Sequence, residues 1–270
     1  MLPRPILFVS VLLALSVRVL AAQSAADARW IAQCRDHSGD WQVKHCETRV
    51  VTLAQRGTIT VDPGENGGVR VEGWSRDSIE VHARIQTQGA TDDDAEALAR
   101  DIKVVTSGTR IGAEGPPSGH RRSWSVSFVI YAPRRSDLQL DTQNGPIGVR
   151  DVTGRMALTA YNGPVSLDGV GGDVRARTTN GPIDVELTGE RWDGAGLDAE
   201  TTNGPVNLTI PESYSARLEF GTVNGPMSVG FPLTVTIQGR VGRRITTTLG
   251  AGGAPVRAVT TNGPVEIRRN

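Results

Sequence analysis

The segment Thr178-Thr179-Asn180-Gly181-Pro182-Ile183-Asp184-Val185 is one copy of a pattern that organises half of this chain. Its centre, Asn-Gly-Pro, occurs six times, starting at Asn144, Asn162, Asn180, Asn203, Asn224 and Asn262. The gaps are 18, 18, 23, 21 and 38 residues, the last close to two periods. A repeat of this kind is read before any single segment, because each copy is a unit that stacks on its neighbours. An alternation precedes each Asn: Leu138, Leu140 and Thr142; Leu158 and Ala160; Val174, Ala176 and Thr178; Leu197, Ala199 and Thr201; Leu218, Phe220 and Thr222; Val256, Ala258 and Thr260. Period two places these residues on one face of a strand. A second strand follows most Gly-Pro pairs, as in Ile147 and Val149, Val165 and Leu167, or Ile183, Val185 and Leu187.

Each unit therefore holds two or three short strands and as many corners. The strands are too short for a membrane barrel, whose strands run about 9–11 residues. No crossover helix fits between them, so a βαβ array is excluded. Identical corners at near-constant spacing predict a parallel β-solenoid, a single-stranded β-helix, with β-sandwich as the alternative. Gly145, Gly163, Gly181, Gly204, Gly225 and Gly263 are expected to supply the corner conformation, and each following Pro to begin a strand. The Asn side chains are expected to point inward or along the corner and to stack as a ladder. Sequence order would place Asn180 between Asn162 and Asn203, and Asn262 at the end with one neighbour. The 38-residue gap reads as a longer excursion, with Gly250 to Gly253 as a substitute turn.

Upstream, strands begin near Val50, interrupted by Pro63-Gly64-Glu65-Asn66-Gly67-Gly68, a strong turn signal. One short helix is predicted over Asp92–Arg100, acidic at its start and basic at its end, with Thr91 or Asp92 as its cap. Gly108 to Arg122 reads as a Gly/Pro-rich loop.

The N-terminus reads as a secretory signal peptide over residues 1–22: Arg4, an apolar run from Ile6 to Val17, then Ala21 and Ala22. Cys34 and Cys46 are the only cysteines. In an exported chain such a pair forms a disulfide. His37 and His45 lie close enough to suggest a metal site, but zinc favours Cys-x-x-Cys pairs that are missing here. Three regions follow: the signal peptide at 1–22, a disulfide-linked segment at 23–49, and the main domain at 50–270. With 29 basic and 29 acidic residues the formal charge is zero. That balance argues against nucleic acid as a partner, since phosphate binding needs an excess of Lys and Arg. No second apolar run reaches membrane length, so no transmembrane segment is expected in the mature protein.

The Cys34 to Cys46 region, the segment Asn66 to Trp74 and the Thr-Thr-Asn-Gly-Pro coils at Thr178, Thr201 and Thr260 resemble bacterial adhesin-like families that carry a domain of unknown function. The resemblance covers most of the mature chain. It implies an exported protein with a right-handed β-solenoid body, and it carries no catalytic residues. No Gly-x-Ser-x-Gly elbow, phosphate loop or His-Glu-x-x-His motif is present. No catalytic, cofactor-binding or metal-binding residue is therefore assigned, and no cofactor is expected. Asp168, Asp184 and Glu186 recur near the strands that follow Pro, as paired carboxylates would in a polysaccharide-active enzyme. The expected function is a non-catalytic, adhesin-like binding or scaffold protein of the bacterial envelope. It would be periplasmic, surface-bound or secreted, with an unidentified glycan or envelope component as partner. A purely structural envelope protein and a polysaccharide-active β-helix enzyme are the alternatives.

Overall fold

A computed structural model describes residues 25–34, 43–119, 122–233 and 243–270. The expected signal peptide lies outside these residues, as do His37 and Trp41. The fold is all-β, with two large and mostly parallel sheets. The N-terminal part contains a helix α1 (25–34) and the strands β1 (Val43–Ala54), β2 (Ile59–Asp62), β3 (Val69–Trp74) and β4 (Ser78–Gly89). The helix α2 (Asp92–Asp101) follows, then β5 (Lys103–Ser107), β6 (Arg110–Glu114) and β7 (Ser123–Pro133). Two of these elements were not expected. α1 is a second helix, and β6 lies inside the stretch read as a loop. The expected boundary at residues 49 and 50 falls within β1.

The repeat supplies strand pairs, each joined by an Asn-Gly-Pro corner. They are β8 (Leu138–Asn144) with β9 (Ile147–Arg150), β10 (Thr153–Asn162) with β11 (Val165–Asp168), and β12 (Gly171–Asn180) with β13 (Ile183–Glu186). Then come β14 (Gly196–Asn203) with β15 (Val206–Ile210), and β16 (Ala216–Asn224) with β17 (Met227–Val229). After β18 (Arg244–Leu249), the chain ends in β19 (Pro255–Asn262) and β20 (Val265–Arg269). The first strand of each pair lies in one sheet and the second in the other. The first sheet runs β1-β4-β7-β3-β9-β11-β13-β15-β20-β17, and the second β18-β16-β19-β14-β12-β10-β8-β2-β6-β5. Pairing along the repeat is parallel and in strict register, so Thr142, Ala160, Thr178, Thr201, Thr260 and Thr222 form one row.

Apolar residues of both sheets share one core. The row Leu140, Leu158, Ala176, Ala199, Ala258 and Phe220 is buried, with small side chains at its centre and large ones at its ends. A narrow interior explains the low aromatic content. The N-terminal end is closed by the antiparallel group β1, β4 and β7 and by α2. Thr91 caps α2 by accepting from the Asp94 amide at 3.1 Å. Arg49 on β1 closes the other end, donating to the Ala99 and Ile102 carbonyls at 2.8 and 2.6 Å.

The corners depart from expectation in two ways. The Asn side chains are exposed rather than inward. The inward polar residue is the Thr two positions earlier, which is buried. Thr178, Thr201, Thr222 and Thr260 each donate 2.9 Å hydrogen bonds to a corner Gly carbonyl on an adjacent coil. Ala160 has no hydroxyl, and Thr142 serves the Gly145 carbonyl of its own corner instead, at 3.0 Å. The Gly residues are needed for close approach. A Cβ on Gly145, Gly163, Gly181, Gly204, Gly225 or Gly263 would lie 2.0–2.2 Å from a Gly carbonyl oxygen on the next coil. Of the six, Gly204 and Gly263 have the positive φ expected of a glycine corner, and Gly145, Gly163, Gly181 and Gly225 do not. Six corners are thus stacked backbone on backbone, with no room for a side chain.

The order of the last coils also differs. β19 and β20 do not cap the stack. They insert between β14–β15 and β16–β17. Strand length explains part of this. β20 pairs with all five residues of β15, whereas β17 is only three residues long. Asn262 is consequently interior, and Asn224 takes the outermost corner.

Candidate functional site

The parallel register brings the outward side chains of β3, β9, β11, β13, β15 and β20 into two rows. One reads Arg70, Gly148, Ser166, Asp184, Asn207, Glu266; the other Glu72, Arg150, Asp168, Glu186, Thr209, Arg268. Each member alternates with a buried core residue, which fixes its outward direction. Apart from Glu72, the members of both rows line a shallow groove of about 460 Å³.

Gly148 opens its floor: a Cβ there would meet only Arg70 Nε, at 3.9 Å. Arg150 holds Asp168 at 2.8 Å, and Asn207 donates to Asp184 at 2.7 Å. At the far end Arg268 pairs with Glu266 at 2.6 Å, and that bond holds the half-buried Glu266 carboxyl below its ordinary range. The Glu186 carboxylate is exposed and has no hydrogen bond or ion pair among the described residues. The groove therefore offers acceptors, guanidinium donors, a hydroxyl pair and an amide within a few strand spacings. Such a surface suits a hydroxyl-rich ligand. Asp168, Asp184 and Glu186, singled out from the sequence, are brought together here.

A second polar cluster was missed. His82, on the outer face of β4, is buried with Glu80 and with Asp27 from α1. Its Nδ1 meets Asp27 and its Nε2 meets Glu80 at 2.9 Å. Arg84 donates to the other Asp27 oxygen at 3.1–3.2 Å and lies over the Trp30 ring. Tyr131 packs edge-on against His82 and stacks on Trp74. Burial, then the Glu72 and Asp27 charges, push its phenol above its ordinary value. Both imidazole nitrogens are occupied, so the cluster fastens α1 to the sheet and leaves no open position for a substrate. The signal for α1 was the spacing Asp27, Trp30, Ile31 and Cys34, which falls on one helical face.

The Cys34–Cys46 disulfide joins the end of α1 to β1. His45 meets Glu47 at 3.2 Å. Among the described residues no group of His, Cys, Asp and Glu side chains has the arrangement to hold a metal ion. Nor is any helix among them long and apolar enough to cross a membrane.

The corner residues of the repeat form a continuous device on one edge. Each Asn Nδ2 donates to the Oδ1 of the next Asn at 2.8–2.9 Å, from Asn224 through Asn262, Asn203, Asn180 and Asn162 to Asn144. Asn144 donates to Asn66 Oδ1 and to the Glu65 carbonyl. Arg243 donates to Asn224 Oδ1 at 3.3 Å.

Two mostly parallel sheets stitched at Asn-Gly-Pro corners, with a polar groove across one outer face, define a stacked all-β protein. The chain belongs to the Toastrack DUF4097 family, whose profile matches residues 32–268. The resemblance read from its motifs is thereby met. Three solved structures are similar at low identity. A proposed cell adhesion protein from Clostridium sporogenes is 10% identical, covering 84% of this chain and 100% of that one, with a TM-score of 0.45. A proposed adhesin from Bacteroides fragilis is 12% identical over 84% and 97%, with a TM-score of 0.36. A proposed lipid binding protein from Parabacteroides distasonis is 9% identical over 83% and 96%, with a TM-score of 0.27. No curated protein matches the chain.

Proposed function

We propose that the protein is an exported, non-catalytic binding module of the bacterial envelope. Its body is a right-handed parallel β-solenoid, and the groove across β3 to β20 is its ligand face. The partner is a polar glycan or another hydroxyl-rich envelope component. The observation that carries this reading is the exposed Glu186 carboxylate beside Asp168, Asp184 and Asn207, on a floor opened by Gly148. The Cys34–Cys46 disulfide supports an oxidising compartment. The in-register corners support a coiled path, since each Gly stacks on the Gly of the neighbouring coil.

A binding screen of the mature protein against envelope polysaccharides tests the reading, with Gly148→Leu as the decisive variant. A Cβ there meets only Arg70 Nε, at 3.9 Å, and points into the groove, so the fold should persist while binding falls by about ten-fold or more. Unchanged binding by Gly148→Leu would move the ligand face elsewhere. The side-by-side Asp168 and Glu186 on β11 and β13 favour a second reading, a polysaccharide-active enzyme. Product release from the same polysaccharides, abolished by Glu186→Gln, would establish that reading instead.

A further inference from the structure

The C-terminal strands occupy a place that chain order does not give them. β19 pairs in parallel with β14 on one side and with β16 on the other, and β20 likewise lies between β15 and β17. Their inward residues Val256, Ala258, Val265 and Ile267 are fully buried. The site they fill is a slot with two parallel walls, and it is selective. Register puts Arg257 of β19 between Asp198 of β14 and Glu219 of β16. Arg257 meets Asp198 at 2.5 Å, Glu200 at 2.9 Å and Glu219 at 3.5 Å. Were β16 packed directly on β14 in the same register, Glu219 would lie beside Asp198, and like charges in adjacent positions repel. Arg177 on β12 also pairs with Asp198 and Glu200, so Arg257 adds a second cation to a shared network, and the walls of the slot favour a strand carrying a cation at that position.

The segment that fills it is attached by a short link. β18 lies on the outer side of β16 and β19 on its inner side, so the chain must cross the end of β16 between them. The crossing is Gly250-Ala251-Gly252-Gly253-Ala254, with positive φ at all three glycines. The link is a hydrogen-bonded turn outside the slot, Gly252 donating to the Leu249 carbonyl at 2.9 Å and Ala251 to Ser215 Oγ at 3.2 Å, so a swapped path alters these contacts and none within the slot.

We infer that the slot between β14–β15 and β16–β17 is a strand-acceptor site that also takes the C-terminal Asn-Gly-Pro corner of a second copy of this chain. The contacts made by an incoming corner are the same as those made by the chain's own, including Arg257 between the carboxylates and Asn262 between Asn203 and Asn224. Only the connection differs, which is the condition for domain swapping at low cost. The chain's own corner has the advantage of a short tether, an effective concentration of order mM. Exchange therefore grows with protein concentration and with refolding from an open state.

Two full-length variants test this. Thr202 on β14 and Thr261 on β19 are adjacent outward positions, between the register pairs Thr201–Thr260 and Asn203–Asn262. One chain carries Thr202→Cys and the other Thr261→Cys. Refolded together at about mM concentration and oxidised, they should yield a disulfide-linked dimer of the two different chains, joined between positions 202 and 261 by peptide mapping. Its share should fall on dilution. A single chain carrying both substitutions should link within itself and so report that the geometry permits the bond. If it does not, Val223→Cys with Thr261→Cys reads the same slot from β16. Internal linkage in the doubly substituted chain, with no mixed dimer at the highest concentration, would overturn the inference. So would mixed dimers joined only through other positions.

Discussion

Replacing Gly181 by Ala should be among the most damaging single-methyl changes in this protein. A Cβ at 181 would lie 2.2 Å from the Gly163 oxygen and 2.6 Å from the Gly163 carbon, against an ordinary contact of 3.4 Å or more. Both neighbours are backbone, so no rotamer relieves the clash. The two coils must part by more than an ångström at a point where they are tied closely. The Gly163 amide donates to the Asn180 carbonyl at 3.0 Å, and the Gly181 amide to the Asn203 carbonyl at 2.9 Å. Parting the coils stretches the first of these beyond hydrogen-bond range, along with the Thr178 hydroxyl bond to the Gly163 carbonyl at 2.9 Å. Each lost bond costs about 1 kcal/mol, more where a buried group is left unpaired. Displacement of the adjoining core adds a packing loss, and the total is about 3–5 kcal/mol. Gly148→Ala is the matched control, because its Cβ meets nothing closer than 3.9 Å and its strand φ suits any residue. It should be neutral or stabilise by up to about 1 kcal/mol. Urea unfolding of the two variants beside the parent gives the difference directly. If Gly181→Ala lies within about 1 kcal/mol of Gly148→Ala, close backbone stacking is not what requires glycine at the corners.

The amide ladder should lose stability in spatial rather than sequence order. Asn262→Ala and Asn180→Ala should each cost about 0.5–1.5 kcal/mol, with Asn224→Ala cheaper at the outer end; denaturant midpoints that make Asn262 the cheapest would contradict the inserted coil. Acid should weaken the same region. Burial pushes the Asp198 carboxyl up, but hydrogen bonds from Arg177 and Arg257 outweigh it and hold it below its ordinary 3.8. Its contribution is present above that value and is lost as pH falls through the lower folded one. Asp198→Asn should flatten this acid limb of the stability profile, and an identical limb in the variant would refute the assignment. At the alkaline end, burial pushes the Tyr214 phenol up to about 12 from 10.0. Stability from the neutral phenol is full below pH 10 and is lost as pH rises toward 12; Tyr214→Phe should remove that loss, as followed by circular dichroism.

The two-sheet alternation was readable because Leu138, Leu140 and Thr142 and their counterparts repeat with period two, and Gly-Pro marks every corner. Even the inward Thr belonged to that pattern. The role of glycine was readable only in part: Gly204 and Gly263 do take a positive φ at their corners, but the close approach shared by all six corners is a relation between coils and leaves no mark within one. Coil order was hidden for the same reason. Arg257 looks like any surface arginine until Asp198 and Glu219 stand on either side of it. The groove emerged only from register. Ser166, Asp184 and Asn207 lie 18 and 23 residues apart, and nothing in those intervals says that they share a face until the strands are paired. α1 carried a helical spacing, but it adjoined a segment expected to be removed.

The ladder of corner amides has a sense of travel. Every asparagine gives its NH₂ toward the N-terminal end of the stack and receives on its oxygen from the other side. Turning a single amide would set nitrogen against nitrogen at one junction and oxygen against oxygen at the other, so the units turn together or not at all. Which of the two senses is adopted is decided at the ends. Arg243 can only donate, and it faces the Asn224 oxygen. At the opposite end the Glu65 carbonyl can only accept, and it faces the Asn144 nitrogen. A guanidinium and a peptide oxygen, at opposite ends of the stack, thus agree on one orientation for every side chain between them. The aligned amide dipoles give this edge of the molecule an electrical polarity along the stacking axis.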